Sequence, residues 1–177
     1  MIPYMYIYIY YRYRKKNPTT EEEKEYLENL FNCLCYCLND LPANQLEFKE
    51  CKGIELMVIT VRKKEKILAK DGCLRLLNFA LAKNQENCRQ FIEARGLKAI
   101  FSVFMGKTKP AKRNKQTLED TIEHCVSIIV QLFLSLADIQ YYRLLRKFQE
   151  EQYEKVERLM ELFDDYYRTF YLPLLSL

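Results

Sequence analysis

Two stretches of the chain carry the same hydrophobic pattern. Asn44 to Val61 reads NQLEFKECKGIELMVITV, and Asn87 to Phe104 reads NCRQFIEARGLKAIFSVF. Each holds the end of one helix, a glycine, and the apolar start of another. Three anchors keep one offset: Asn44 and Asn87, Phe48 and Phe91, and Gly53 and Gly96 are each 43 residues apart. Around them, apolar positions recur at helical spacing. Leu27, Leu30, Phe31, Leu34 and Leu38 predict a helix over 26–38; Leu74, Leu77 and Leu81 predict one over 67–82. Ile128, Ile129, Leu132, Phe133 and Leu136 form the apolar side of the longest candidate, 118–137.

Helix ends follow from local chemistry. Thr19 or Thr20 caps the first helix, and Glu21, Glu22 and Glu23 favour the positive end of its dipole. Pro42 breaks that helix, and a short one then runs through Phe48 to Gly53, where glycine can take the left-handed cap conformation. Ile54 to Val61 is β-branched enough for a buried strand. Helix is the better reading, because the equivalent Leu97 to Met105 has Leu97, Ile100, Phe101 and Phe104 at helical spacing. A basic linker, Arg62 to Lys66, follows. A third, degraded copy contains Leu144, Leu145 and Phe148, then Val156, Leu159, Met160 and Phe163, with Tyr153 standing where the glycine is expected and the next helix displaced by about two residues. A period of this length falls within the range of armadillo and HEAT units. The expected fold is an all-α, armadillo/HEAT-like helical-repeat solenoid of about three repeats.

Composition narrows the picture. The 177 residues are 49% apolar and 29% charged, with only four glycines and five prolines, which suits one helical domain rather than a loop-rich β fold. A net charge of +4 does not by itself make a nucleic-acid binder. The seven cysteines are odd in number and lie mostly in apolar helical runs, so they read as reduced thiols of the cytosol or nucleus rather than a disulfide scaffold. Residues 1–18 differ from everything later. MIPYMYIYIYYRY alternates Tyr with Ile like a strand, is too short and tyrosine-rich to span a membrane, and has its positive charges after the apolar part, opposite to a signal peptide. It is read as a disordered leader, with a membrane-surface anchor as the alternative. The repeat domain is assigned to 19–168. The apolar tail, 169–177, either packs on the last helix pair or, like the leader, reflects a gene model running into non-coding sequence.

The sequence shows no recognisable catalytic constellation. His124, the single histidine, neighbours Cys125 on a helix start, where adjacent residues point apart and do not form a nucleophile pair. Phosphate-loop, dinucleotide, serine-elbow and zinc-protease patterns are lacking. Cys33, Cys35 and Cys37 have a spacing that does not converge on a metal within a helix. The chain is therefore expected to be non-enzymatic, with no cofactor and no metal. The clearest loop, Gly106 to Gln116, is strongly basic: Lys107, Lys109, Lys112, Arg113 and Lys115. Such clusters suit phosphate contact or nuclear import, and also an ordinary solvated loop. Without interleaved aromatic residues the loop does not favour stacking on single-stranded nucleic acid.

Stacked helical repeats expose an extended groove lined by the longest helix of each unit. Counting thirteen residues back from Phe48, Phe91 and Phe148 reaches Cys35, Asn78 and Ser135, one structural level of that groove. One turn earlier stand Phe31, Leu74 and Gln131. The level resembles the asparagine ladder of importin-type armadillo proteins, although only Asn78 is an asparagine; Cys35 and Ser135 also read as small residues allowing close packing. The Asn78 amide can donate to and accept from an extended peptide backbone. Asp71 and Glu28, a further turn along, would attract a basic ligand.

Four stretches carry a closer resemblance: ENLFNCLCYCL (Glu28–Leu38), NCRQFIEARGLKAIFSVFM (Asn87–Met105), RLLRKF (Arg143–Phe148) and EKVERLMELF (Glu154–Phe163). Over roughly Glu21 to Tyr167 the chain resembles the β-catenin-like protein 1 family, of which EKVERLMEL is the more specific signature. The resemblance implies a nuclear, spliceosome-associated armadillo scaffold, here an interior part of a longer array. Members attach to the complex built around pre-mRNA-processing factor nineteen and its Myb-like subunit, hold basic segments of protein partners, and self-associate. Direct nucleic-acid binding and membrane attachment are not implied. The competing functions are a nucleic-acid binder using the basic loop 107–115 and a truncated fragment without a function.

Overall fold

The computed structural model describes residues 17–63, 67–106 and 115–171, and every regular element among them is helical. The leader, the middle of the basic linker, most of the basic loop (107–114) and residues 172–177 lie outside the described residues. The helices are α1 (Glu21–Leu38), α2 (Pro42–Glu50), α3 (Gly53–Arg62), α4 (Ile67–Leu81), α5 (Gln85–Glu93), α6 (Gly96–Phe104), α7 (Lys115–Ser135), α8 (Asp138–Gln149) and α9 (Glu154–Tyr166). One long helix followed by two shorter ones recurs three times in that order. The all-α helical-repeat architecture expected from the sequence is thus observed.

The chain forms two compact units, up to Leu136 and from Ala137 onward. In the first, α4 lies between α1 and α7, and α3 and α6 pack against α4 and α7. Leu34, Leu38, Leu74, Leu77, Leu81, Ile128 and Leu132 are buried along these contacts, with Ile54, Val58, Phe91 and Phe104 from the short helices. Burying side chains of this size stabilises by about 1.5–3 kcal/mol each, before the entropy of ordering them is counted. In the second unit α8 packs on α9, and Lys155 is buried with its ammonium 3.4 Å from Glu154 and 4.0 Å from Glu150.

The period of 43 residues reappears as duplicated hydrogen bonding. The amide of Asn44 donates to the Cys37 carbonyl at 2.6 Å, and that of Asn87 to the Ala80 carbonyl at 2.8 Å. One position on, the Gln45 amide reaches the Leu38 carbonyl at 3.4 Å and the Cys88 thiol the Leu81 carbonyl at 3.4 Å. These side chains add partners to the carbonyls at the ends of α1 and α4, which lack a following helical turn. Gln45 also crosses between copies. Its amide donates to the Phe79 and Ala82 carbonyls, its side-chain oxygen accepts from Asn84, and its backbone carbonyl accepts from Asn87. Thr20 caps α1 by accepting from the Glu23 amide, and Pro42 opens α2 at a position where its missing N–H costs nothing.

The glycines differ from expectation. Gly53 and Gly96 do not occupy the left-handed turn; the preceding Lys52 (φ 61°) and Arg95 (φ 63°) do. Each glycine is instead the first residue of its helix, with the ring of Phe48 or Phe91 lying where a Cβ would be. Glycine is required here for close approach rather than for backbone freedom. In the third copy Tyr153 takes the left-handed turn (φ 67°) five residues after Phe148, against four in the other copies. The expected displacement of about two residues is therefore one. A short 3-10 turn, Glu151–Tyr153, absorbs it.

Candidate partner-binding groove

Helices α1, α4 and α7 lie side by side, as the groove reading requires. Of the candidates, Phe31, Cys35 and Leu74 are buried. Phe31 packs on Gly72 of α4, where a Cβ would overlap its ring. These three form a floor, so surface available to a partner falls to the half-exposed Asp71, Asn78, Gln131 and Ser135. The Asn78 side chain makes no hydrogen bond with any described residue, which leaves its amide free to pair with a ligand backbone. The Gln131 side-chain oxygen accepts from the Lys83 amide at 3.4 Å. Asp71 accepts from Thr121 of α7 at 2.5 Å. Glu28 is well exposed on α1. Of the basic loop, Lys107, Lys109, Lys112 and Arg113 lie outside the described residues, and Lys115 is the first residue of α7.

The sequence reading missed Arg75. It lies four residues after Asp71 and three before Asn78, so periodicity places all three on one side of α4. Its guanidinium stands 3.9 Å from Glu28 on α1, and its charge acts on the Cys35 thiol of α1 and on His124 of α7. Spacing alone places Arg75 on this side of α4; its partial burial beside Glu28 is visible only in the structure.

The thiols and the histidine report how enclosed this region is. Burial pushes the Cys35 thiol up to about 11, against the opposing pull of Arg75. Burial likewise raises the Cys88 thiol to about 11, and raises Cys73 and Cys125 still more strongly. His124 is held below its ordinary value, first by burial and then by Arg75, with Asp120 and Asp71 opposing. Cys125, fully buried with its thiolate disfavoured, lacks the reactivity of a nucleophile. No group of three or more His, Cys, Asp or Glu side chains among the described residues is placed to hold a metal ion. No described helix is long and apolar enough to cross a membrane.

Comparison with known proteins bears on what this row of helices belongs to. The chain is 39% identical over 148 residues to beta-catenin-like protein 1 of Rattus norvegicus and of Homo sapiens, a match covering 82% of this chain and 26% of each relative. It is 36% identical over 153 residues to the beta-catenin-like protein 1 homolog of Schizosaccharomyces pombe, covering 84% of this chain and 25% of that protein. The chain thus spans about a quarter of the length of these relatives. A family model described as catenin-beta-like, Arm-motif containing nuclear matches residues 6–171, reaching beyond the 19–168 assigned from the residues alone. With a match over most of its length, and with the helical repeats that an Arm motif denotes, the chain belongs to the catenin-beta-like, Arm-motif containing nuclear family.

Proposed function

We propose that the chain is part of a non-enzymatic nuclear scaffold acting in pre-mRNA splicing, and that the face of α1, α4 and α7 holds an extended, basic segment of a protein partner. The carrying observation is the free Asn78 amide on the central helix, with the half-exposed Asp71 and the exposed Glu28 beside it. An extended peptide brings unpaired backbone donors and acceptors, which an amide satisfies in both directions. Lysine and arginine side chains bring charge that the carboxylates steer and orient. Family membership supports the repeat architecture and a nuclear setting; the splicing role and the identity of partners belong to this proposal. Burial makes the Cys35, Cys73, Cys88 and Cys125 thiols poor nucleophiles.

Affinity capture from nuclear extract, with the full chain as bait and mass spectrometry as readout, tests this directly. The proposal predicts enrichment of splicing proteins that survives nuclease treatment. Enrichment lost on nuclease treatment would instead favour nucleic-acid contact through Lys107 to Lys115, with the steep salt dependence such contacts bring. Recovery of nothing above background would contradict a binding function for this part of the array.

A further inference from the structure

Arg75 is an under-satisfied cation at the centre of the groove. Its Nε–H is buried without a hydrogen-bond acceptor. The nearest carboxylate, on Glu28, is 3.9 Å away, too far for a hydrogen bond, and its owner is 68% exposed. The Cys35 thiol, on which Arg75 acts, offers only a weak acceptor, and burial keeps it neutral. The Arg75 side chain as a whole remains 28% exposed while Nε is covered, so a ligand would meet the terminal nitrogens of the guanidinium rather than Nε. On the α7 side stands His124, held towards its neutral form by burial and by Arg75 itself. One turn along α4 is the free amide of Asn78. A guanidinium presents a fork of donors matched to a carboxylate, and its protein neighbours leave that fork largely unused.

We propose that the groove ligand carries an acidic residue within its basic segment, and that this carboxylate seats on Arg75 between α1, α4 and α7. The proposal rests on the groove reading above. It assigns the ligand a mixed charge pattern: cationic side chains directed to Glu28 and Asp71, and one anionic side chain directed to Arg75. The carboxylate competes with Glu28 for the guanidinium. A purely basic segment leaves Arg75 facing like charge, which disfavours binding in that register.

The test uses the full chain and two series of amidated, fluorescently labelled peptides of about ten residues, in which lysine alternates with alanine. In one series a single glutamate replaces each alanine in turn; in the other, glutamine does. Affinities are measured by fluorescence anisotropy. At one position glutamate is expected to bind at least about fivefold more tightly than glutamine, although it lowers the peptide's net positive charge. Arg75→Gln abolishes the preference, and Arg75→Lys retains only part of it. Glu28→Gln, at an exposed position where folding is not at risk, enlarges it. Circular dichroism verifies that each variant is folded. If both series bind without a glutamate preference, or if the preference is the same in the Arg75 and Glu28 variants, this proposal fails while the groove reading stands. If neither series binds, the groove reading fails and this proposal fails with it.

Discussion

Gly53 and Gly96 exist because of Phe48 and Phe91. Each ring lies over the first residue of the following helix, in the volume a Cβ would occupy. Gly96→Ala is therefore expected to destabilise the chain by about 1–3 kcal/mol through overpacking, read as a lower denaturant midpoint with an unchanged slope. The anchors were legible because aromatic and glycine positions recur at a fixed spacing. Their conformation was not: the sequence suggests glycine in the left-handed turn, whereas Lys52 and Arg95 adopt it and glycine supplies room. Arg75 was hidden for a related reason, since nothing in a single sequence separates a solvated arginine from one enclosed by three helices. His124 provides a local check. As the single histidine of the chain, its proton resonances are unambiguous, and its titration midpoint is expected below the ordinary histidine value. Arg75→Gln removes one of the two causes of that depression and is expected to raise the midpoint. Because the folded-state value lies below the unfolded one, the unfolded chain takes up the proton first as pH falls. His124 thus lowers stability from its ordinary pKa downward, and its contribution is fully restored above that pH.

At the scale of elements, α4 is the keystone of the first unit. It contacts α1, α3, α5 and α7, and the carbonyls at its end are held by Gln45 and Asn87. In α9, by contrast, Met160 and Phe163 are 60% and 65% exposed, and Lys155 is its one buried residue. Amide hydrogen exchange is accordingly expected to be slowest in α4 and much faster in α9, since opening free energy follows local burial. Equal protection would mean that α9 is covered by something other than its own unit. Apolar spacing made the long helices readable, and for Ile54 to Val61, where β-branching alone suggests a strand, the spacing of the equivalent Leu97 to Met105 pointed to helix. The third copy was less readable, because its turn is one residue longer and the short 3-10 segment that accommodates it leaves no mark in the hydrophobic pattern.

At the scale of the molecule, an offset of 43 residues recurs in four kinds of feature: asparagine caps, aromatic rings, glycines and left-handed turns. Such repetition is how a helical array buries a continuous core, each unit covering its neighbour. It sets the helical-repeat fold, and the function proposed above is assigned to the face shared by α1, α4 and α7. Four of the seven groove candidates proved surface-accessible, while Phe31, Cys35 and Leu74 lie beneath, because counting along a helix gives the level of a residue but not its depth. The central claim is that Asn78 pairs with an extended ligand from this face. Calorimetric titration of the full chain and of Asn78→Ala with one lysine-rich peptide, alongside thermal unfolding of both proteins, tests it most directly. The account predicts roughly tenfold weaker binding, about 1.4 kcal/mol, with an unchanged Tm. Unchanged affinity, or a Tm that falls while affinity does not, would make Asn78 a structural residue and contradict the claim.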